Sequence, residues 1–472
     1  MRGKPIIWRV LLLCSMALAV PSALADDVSM VRLAGTPKQI GRTWGALNKD
    51  TIACDMDATF LRPAAKAGIS RETLIERSVT FVQIVETIAP HWLEEAAEIA
   101  RTAGVDEDLY IAFFDGQARN RFLHQDTAAD AHSGAHVPDN ALIECTSYAV
   151  SRDHARGRAI LFHKTRDNID RPQMGVVVDS ALANVNKFIT VTDGSRIRCS
   201  MMVNDKGLAG SGDYPAERKK DSSTLYLEPA EPQYRGLMAG SILRYVAERA
   251  ASSAEALAII EDVVAKGYYA GGEVNASHWL FVDREGTILE VCNNARHVLS
   301  KVHTQKVYFS RLNKSAAAKR LRESSEPIGF LLFHTVSRDP SICFDSSISG
   351  MTVEIDPEHP EVLTCTWIAL PVRAPAFPLL MGQRCTPAVL ADGRAYALGR
   401  DSQRPMPQWE AAEQAMHDAK QQLIEHLRND MIAGNPSQAQ VEFLEEWSRD
   451  QAARLLNALE QPESRGAAGS SM

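Results

Sequence analysis

Cys145 stands at a junction between two stretches of unlike composition. Residues 125–140 are rich in His, Ala, Asp, Gly and Pro, whereas short apolar runs begin directly after Cys145. A thiol at the end of an exposed linker and at the start of a strand can serve as a nucleophile, because the thiolate form attacks carbonyl carbon. The same residue also reads as a buried apolar thiol or as half of a disulfide. Seven cysteines follow the first 25 residues: Cys54, Cys145, Cys199, Cys292, Cys343, Cys365 and Cys385. An odd number in an oxidising compartment leaves at least one thiol unpaired unless two chains are joined. Cys343 and Cys365 are candidates for a bridge, although sequence separation says nothing of the distance between them.

Other chemistry finds less support. The chain holds no CxxC pair, no HExxH and no paired Cys/His cluster, so no metal site is expected, and no cofactor either. The stretch from Gly207 to Gly212 lacks the Lys-Ser/Thr of a phosphate loop. Ser211 has Ala209 two positions before it, where a nucleophile elbow needs glycine. Both read as turns. His163 and His278 lie on alternating strands and read as satisfied histidines rather than catalytic partners.

The elements that must hold Cys145 follow from periodicity. Between residues 71 and 103 apolar residues recur at helical spacing, with Pro90 breaking the run into two helices. After Cys145 the spacing predicts strands over 146–150, 159–163, 188–191 and 198–203, separated by turns at 153–157 and 204–207. Helix is predicted from 239 to 265, interrupted at Ser252-Ser253-Ala254-Glu255, which has the form of a capping box. Strands resume over 277–282, 288–292, 306–310 and 362–370. Two further helices are expected over 407–430 and 437–459, and a disordered tail over 460–472. The whole is an α+β chain of mixed layers.

Arg2, Lys4 and Arg9 precede an apolar run over 10–20, and Ala23-Leu24-Ala25 follows it, which is the pattern of a secretory signal peptide over 1–25. The run is too short to span a bilayer, and Cys14 lacks the small residue before it that a lipid-attachment site requires. The expectation is a periplasmic or secreted protein with no membrane contact after leader removal. The formal charge is −8 over 472 residues, and loss of the basic leader makes the chain more acidic still. Nucleic acid is therefore not an expected partner.

The order of segments from Leu93 to Pro378 resembles the penicillin acyltransferase and carcinine hydrolase family, the peptidase C45-like relatives of the choloylglycine hydrolases. Leu93 to Ala100 followed by Ala103-Gly104-Val105-Asp106 is similar to that family's helical propeptide, and Cys145-Thr146-Ser147 to its nucleophile motif. Gly157 to Leu161 leading into Thr165-Arg166-Asp167 is similar to its second strand and the acidic residue beyond. Asn204-Asp205-Lys206-Gly207-Leu208 with Gly212-Asp213-Tyr214-Pro215 resembles the Asn-x-x-Gly-Leu hairpin and Asn-Tyr-Pro segment of the choloylglycine branch. The resemblance implies a four-layer αββα N-terminal-nucleophile sandwich. It also implies a precursor that cuts itself between Glu144 and Cys145. Read this way, a helical propeptide or small subunit occupies 26–144 with its linker at 125–144. The core occupies 145–400, and a helical extension 401–459. The processed chains are expected to stay associated, with higher oligomers left open.

The chemistry that this implies is compact. A cysteine that becomes a chain terminus gains an α-amine of pKa roughly 7.7–8.0 beside its thiol, so one residue supplies nucleophile and base. Before scission the thiol can attack the Glu144 carbonyl, and water resolves the resulting ester. By resemblance Asp167 would fix the new amine, while Arg166 balances its charge or meets an acidic substrate; a surface Arg-Asp pair is the plainer alternative. Asn204 orients the site or only shapes its turn.

Three positions depart from the family. Asp213 stands where asparagine is expected, so a donor amide becomes an acceptor carboxylate. Ser310 or Arg311 occupies the slot of an oxyanion-binding asparagine, with Asn313 displaced. Glu144 replaces a small residue before the cut. The expectation is hydrolysis of a linear non-peptide C–N amide, such as an N-acyl or aminoacyl amine, through a thioester on Cys145. An acyltransferase using the same thioester, and a non-catalytic periplasmic binding protein on the same fold, are the competing readings.

Overall fold

Strands Thr146–Val150, Ala276–Val282, Ile288–Asn294 and Ser347–Ile355 are buried at every position. A strand buried on both faces belongs to a sheet covered on both sides. The computed structural model describes residues 30–114, 145–157, 159–168, 171–213, 224–228, 236–271, 276–400, 407–430 and 437–460. The expected signal peptide, the linker with Glu144, Tyr214-Pro215 and the tail lie outside the described residues.

The strands are β1 (Met30–Gly35), β2 (Thr146–Val150), β3 (Ile160–Asp167), β4 (Gln173–Ser180), β5 (Phe188–Asp193), β6 (Met201–Asn204), β7 (Ala209–Asp213), β8 (Leu237–Met238), β9 (Tyr269–Gly271), β10 (Ala276–Val282), β11 (Ile288–Asn294), β12 (Val298–His303), β13 (Val307–Phe309), β14 (Ser347–Ile355), β15 (Cys365–Ala369) and β16 (Phe377–Leu380). One sheet has the order β1-β4-β5-β6-β7-β10-β11-β12, the other β13-β2-β3-β14-β15-β16, and β8 pairs with β9 apart from both. β1 runs parallel to β4, while the remaining neighbours within the two large sheets are antiparallel.

Alternation along the eight-stranded sheet sorts its side chains into two cores. Val177, Ile189, Val203, Leu280 and Val282 join a cluster with Ala149, Phe162 and Val353 of the other sheet. Their neighbours Val176, Val178, Phe188, Met202, Trp279 and Phe281 pack against the helices of residues 37–114 and 239–265. The outer face of the six-stranded sheet is covered by residues 317–336 and by the C-terminal helices, through Tyr396, Met416, Leu423 and Leu444. The layers are therefore helix, sheet, sheet, helix, the αββα sandwich expected above.

Local chemistry explains where the helices begin and end. Ser252 caps helix Ser253–Ala265 by accepting from the Glu255 amide, while the Glu255 side chain reaches past the cap to the Ala251 amide, one residue before the one a capping box would use. Helix Arg71–Ile88 is capped by Ser70, and Pro90 separates it from helix His91–Ala103, which closes on left-handed Gly104. The C-terminal helices span Pro407–Asp430 and Gln438–Glu460.

The N-terminal segment is mainly helical, yet it also contributes β1 to the large sheet. Helix Pro37–Leu47 lies directly on helix His91–Ala103 because Gly41 and Gly45 leave room. A Cβ at these positions would sit 2.5 Å from the Glu95 carbonyl oxygen and 2.6 Å from that of Ile99. A buried network then binds this layer to helix Ala239–Arg249. Arg244 donates to Glu95 at 2.6 Å and to Glu248 at 2.8 Å, and His91 and Trp92 also meet Glu248. Among the described residues every cysteine is free, so Cys343 and Cys365 are not bridged.

Candidate active site

The β2–β3 hairpin places Cys145. Thr146 pairs with Thr165 and Ser147 with Lys164, so Cys145, Ser147, Lys164 and Arg166 alternate onto the face that looks toward the other sheet. Cys145 immediately precedes β2 and is 7% exposed. Its Sγ lies 3.7 Å from the backbone oxygen of Asp167. The thiol opens on a cavity of about 140 Å³ between the ends of the sheets, lined also by Arg166, Asp167, Asp193, Arg198, Cys199, Asp213 and Ser277. The expected nucleophile and the Arg-Asp pair thus share one cavity.

Arg166 is not a surface residue. It donates to Asp193 Oδ1 at 2.8 Å and to Gln173 Oε1 at 2.9 Å, and Arg171 and Gln173 also meet Asp193. Burial opposes ionisation of Asp193, but the two guanidinium groups outweigh it and hold the carboxyl well below its ordinary range. The guanidinium of Arg166 is thereby fixed at the cavity wall. Asp167 is buried and accepts from the Ser347 hydroxyl through Oδ1, which anchors its carboxylate beside the strand end that carries Cys145. Cys199, the other thiol of the cavity, is pushed up to about 12 by burial, so it stays protonated and unreactive at neutral pH.

Asp213 is the hub of the inner network. Its Oδ1 accepts from the Lys164 ammonium, and its Oδ2 accepts from Ser147 Oγ at 2.9 Å and Ser310 Oγ at 2.8 Å. Ser310 Oγ in turn accepts from the Ser147 amide at 2.9 Å. Ser310 therefore positions Asp213 and β2, and does not line the cavity. Asn313 lies elsewhere: its amide donates to the Phe309 carbonyl at 2.8 Å, and its Oδ1 accepts from Arg322. Arg311 is buried and likewise absent from the cavity wall.

Asn204 turns out to hold its turn. Its Oδ1 accepts from the Lys206 and Leu208 amides, and its Nδ2 donates to the carbonyls of Ala247 and Ala250 at the end of helix Ala239–Arg249. The four bonds spend its hydrogen-bonding capacity on the backbone, which leaves no group for substrate. His163 is held between Thr165 and Thr352, and burial drives its pKa well down. His278 bonds to Glu290 at 2.8 Å.

Sequence reasoning missed Lys164. It is wholly buried and donates to the Gly212 carbonyl at 3.1 Å and to Asp213. A signal was present: in Ile160 to Asp167 the alternation that keeps Phe162 in the inter-sheet core also brings Lys164 inward.

The layers and the cavity define a class, an αββα sandwich with a cysteine at the head of an inner strand. No family model and no curated protein matches the sequence. Several solved structures are similar in chain trace. Penicillin V acylase from Agrobacterium tumefaciens overlays 50% of this chain and 86% of its own, with 14% identity and a TM-score of 0.36. The N-acylethanolamine-hydrolyzing acid amidase orthologue of Caenorhabditis elegans covers 46% and 94%, with 10% identity and a TM-score of 0.32. A variant of conjugated bile acid hydrolase from Clostridium perfringens covers 50% and 92%, with 10% identity and a TM-score of 0.31. The likeness is one of fold.

Proposed function

We propose that this protein is a self-processing cysteine hydrolase that cleaves a linear C–N amide bond through a thioester on Cys145. The observation that carries this reading is the placement of a free thiol at the head of an inner strand, open to an inter-sheet cavity that Arg166, Asp167, Asp193 and Arg198 also line. In the first step the Cys145 sulfur attacks the Glu144 carbonyl, the peptide C–N bond breaks, and the nitrogen keeps the proton the sulfur gave up. Water then cleaves the thioester and leaves Cys145 with a free amine. That amine takes the thiol proton in the working enzyme, and the sulfur attacks the substrate carbonyl. The departing amine receives the proton, and water resolves the second thioester.

In this reading Asp167 holds the new ammonium, and the contact of its backbone oxygen with the thiol supports that role. Arg166 offers a fixed cation to an acidic part of the substrate. The 140 Å³ of the cavity suits a short acyl group. The leader supports export to the periplasm or beyond. The sheet position of β1 and the Arg244 network support the association of the two chains after scission.

Mass spectrometry of the purified mature protein tests the scission. Two chains are expected, the second beginning at Cys145, with one uncut chain after Cys145→Ala. A screen of N-acyl amino acids, β-lactams and biogenic-amine conjugates, read as amine release, tests the hydrolysis. An amine acceptor that diverts the acyl group from water would assign the acyltransferase reading instead. A natural chain that stays whole and releases no amine would favour a binding protein, a reading encouraged by the acceptor carboxylate of Asp213.

A further inference from the structure

We infer that the N-terminal helices are a working part of the site: they clamp the β5–β6 connection, which builds one wall of the Cys145 cavity, with Tyr110 and Arg196 as the positioning residues. This rests on the reading of that cavity as the substrate site and gives the segment ahead of the proposed cut a task in substrate binding.

The connection covers residues 194–200. Both of its ends face the cavity, through Thr192 and Asp193 where the chain leaves β5 and through Arg198, Cys199 and Ser200 where it enters β6. Asp193 also fixes the Arg166 guanidinium at 2.8 Å. The middle of the connection is gripped from outside the cavity. The Tyr110 hydroxyl donates to the Ser195 carbonyl at 2.9 Å, and Ser195 Oγ donates to Asp55 Oδ2 at 2.5 Å. Arg196 Nη1 donates to the Phe113 carbonyl at 3.0 Å, with its guanidinium 4.2 Å from the centre of the Phe113 ring. Gly194 permits this close approach, since a Cβ there would sit 2.9 Å from Asn48 Oδ1 and 3.1 Å from Thr51 Cγ2. Tyr110 and Phe113 belong to helix Glu107–Phe114, and Asp55 to helix Lys49–Met56. Arg244, itself held by Glu95, donates to the Ile197 carbonyl at 3.2 Å.

Fixing irregular backbone costs about 1–2 kcal/mol per residue, and this connection has few bonds of its own to offset that. Thr192 Oγ1 donates to the Arg196 carbonyl at 3.2 Å, and the Cys199 amide to the Gly240 carbonyl at 3.1 Å. The rest of the hold comes from residues ahead of the proposed cut. Arg196 is a poor choice for stability alone. It is buried, its nearest carboxylate oxygen is that of Asp55 at 3.9 Å, and its Nε has no hydrogen-bond partner. A buried cation so loosely matched gains little net energy. Its planar fork, set on a ring and a carbonyl, instead gives direction. Once the chain is cut, these contacts join two chains, and the wall keeps its shape only while the smaller one stays.

The test reads the wall and not the hydrolysis. Hydrogen exchange over residues 194–200 and iodoacetamide labelling of the Cys199 peptide are followed by mass spectrometry in full-length protein. Cys199 is a built-in reporter because burial keeps its thiol protonated, and Cys365, sealed in the core, reports on the fold as a whole. Tyr110→Phe forgoes one hydrogen bond and is expected to speed exchange about fivefold, and Arg196→Met about tenfold or more. In both, Cys199 should become labelled while Cys365 does not. Arg196→Lys, which keeps a cation over Phe113, should recover part of the protection. Amine release by the variants should show KM raised about fivefold with kcat near the natural value. Folded variants that exchange at the natural rate over 194–200 and leave Cys199 unlabelled overturn the proposal, as does a loss of kcat at unchanged KM. A wall that loosens in the variants of a protein that releases no amine would count against the proposed hydrolysis while supporting the clamp.

Discussion

Ser310 Oγ donates to Asp213 Oδ2 at 2.8 Å, and this bond joins the end of β13 to the end of β7 across the gap between the sheets. The Ser147 hydroxyl reaches the same oxygen. Strand β2 is thus tied to the opposite sheet through one carboxylate, and the carboxylate's charge is met by Lys164 alone among these donors.

Asp213→Asn leaves that ammonium buried without its anion and is expected to destabilise the protein by about 3–5 kcal/mol. Ser310→Ala removes a neutral donor and should cost about 1–2 kcal/mol. Denaturant melts of the two variants beside the natural protein check the difference. Equal losses would mean that the Lys164–Asp213 charge pair is not what holds this network.

Asn204→Ala deletes four backbone contacts at the hairpin and at the end of helix Ala239–Arg249. A loss of about 2–3 kcal/mol is expected, with amine release per folded molecule unchanged. A fall in kcat at full folding would return Asn204 to the site.

The docking of helix Pro407–Asp430 should fail in acid. Burial opposes ionisation of Glu354, but Lys420 and His417 bring it down from 4.5 to about 2. Burial likewise opposes ionisation of Glu413, and Arg338 and His334 hold it well below the same 4.5. Depressed carboxyls stabilise the fold fully above the unfolded value and lose that contribution as pH falls through the folded one. Hydrogen exchange in this helix should therefore be slow at pH 5 and rise steeply between pH 4.5 and 2. Glu354→Gln should flatten the rise, and an unchanged profile would remove Glu354 from the cause.

Arg244→Met strips the cation from between Glu95 and Glu248. The variant is expected to lose about 3–5 kcal/mol, and its two chains, once cut, should separate in gel filtration under mild denaturant where the natural pair stays together. Co-elution of the variant's chains at the same denaturant concentration would assign the association to β1 and apolar packing.

Much of the frame was legible because it depends on local chemistry. The cap at Ser252, the break at Pro90, strand 146–150 and helix 407–430 all follow from neighbours in sequence. β1 was not read, since six residues ahead of a long helical stretch carry no signal of the β4 they pair with. In the site, Cys145 announced itself by position, and Arg166-Asp167 by resemblance alone. Lys164 did not, because a lysine on a strand reads as a solvated face, and its anion lies 49 residues away in the other sheet. Asn204 carried both of its readings equally until the carbonyls of Ala247 and Ala250 were placed beside it.

β1 lies against β4 over six residue pairs, and without it β4 would present a row of bare amides and carbonyls to its surroundings. Recombinant production that starts at Cys145 would create such an adhesive margin, inviting intermolecular pairing and inclusion bodies. Supplying the missing piece from a second gene should keep the product in the supernatant.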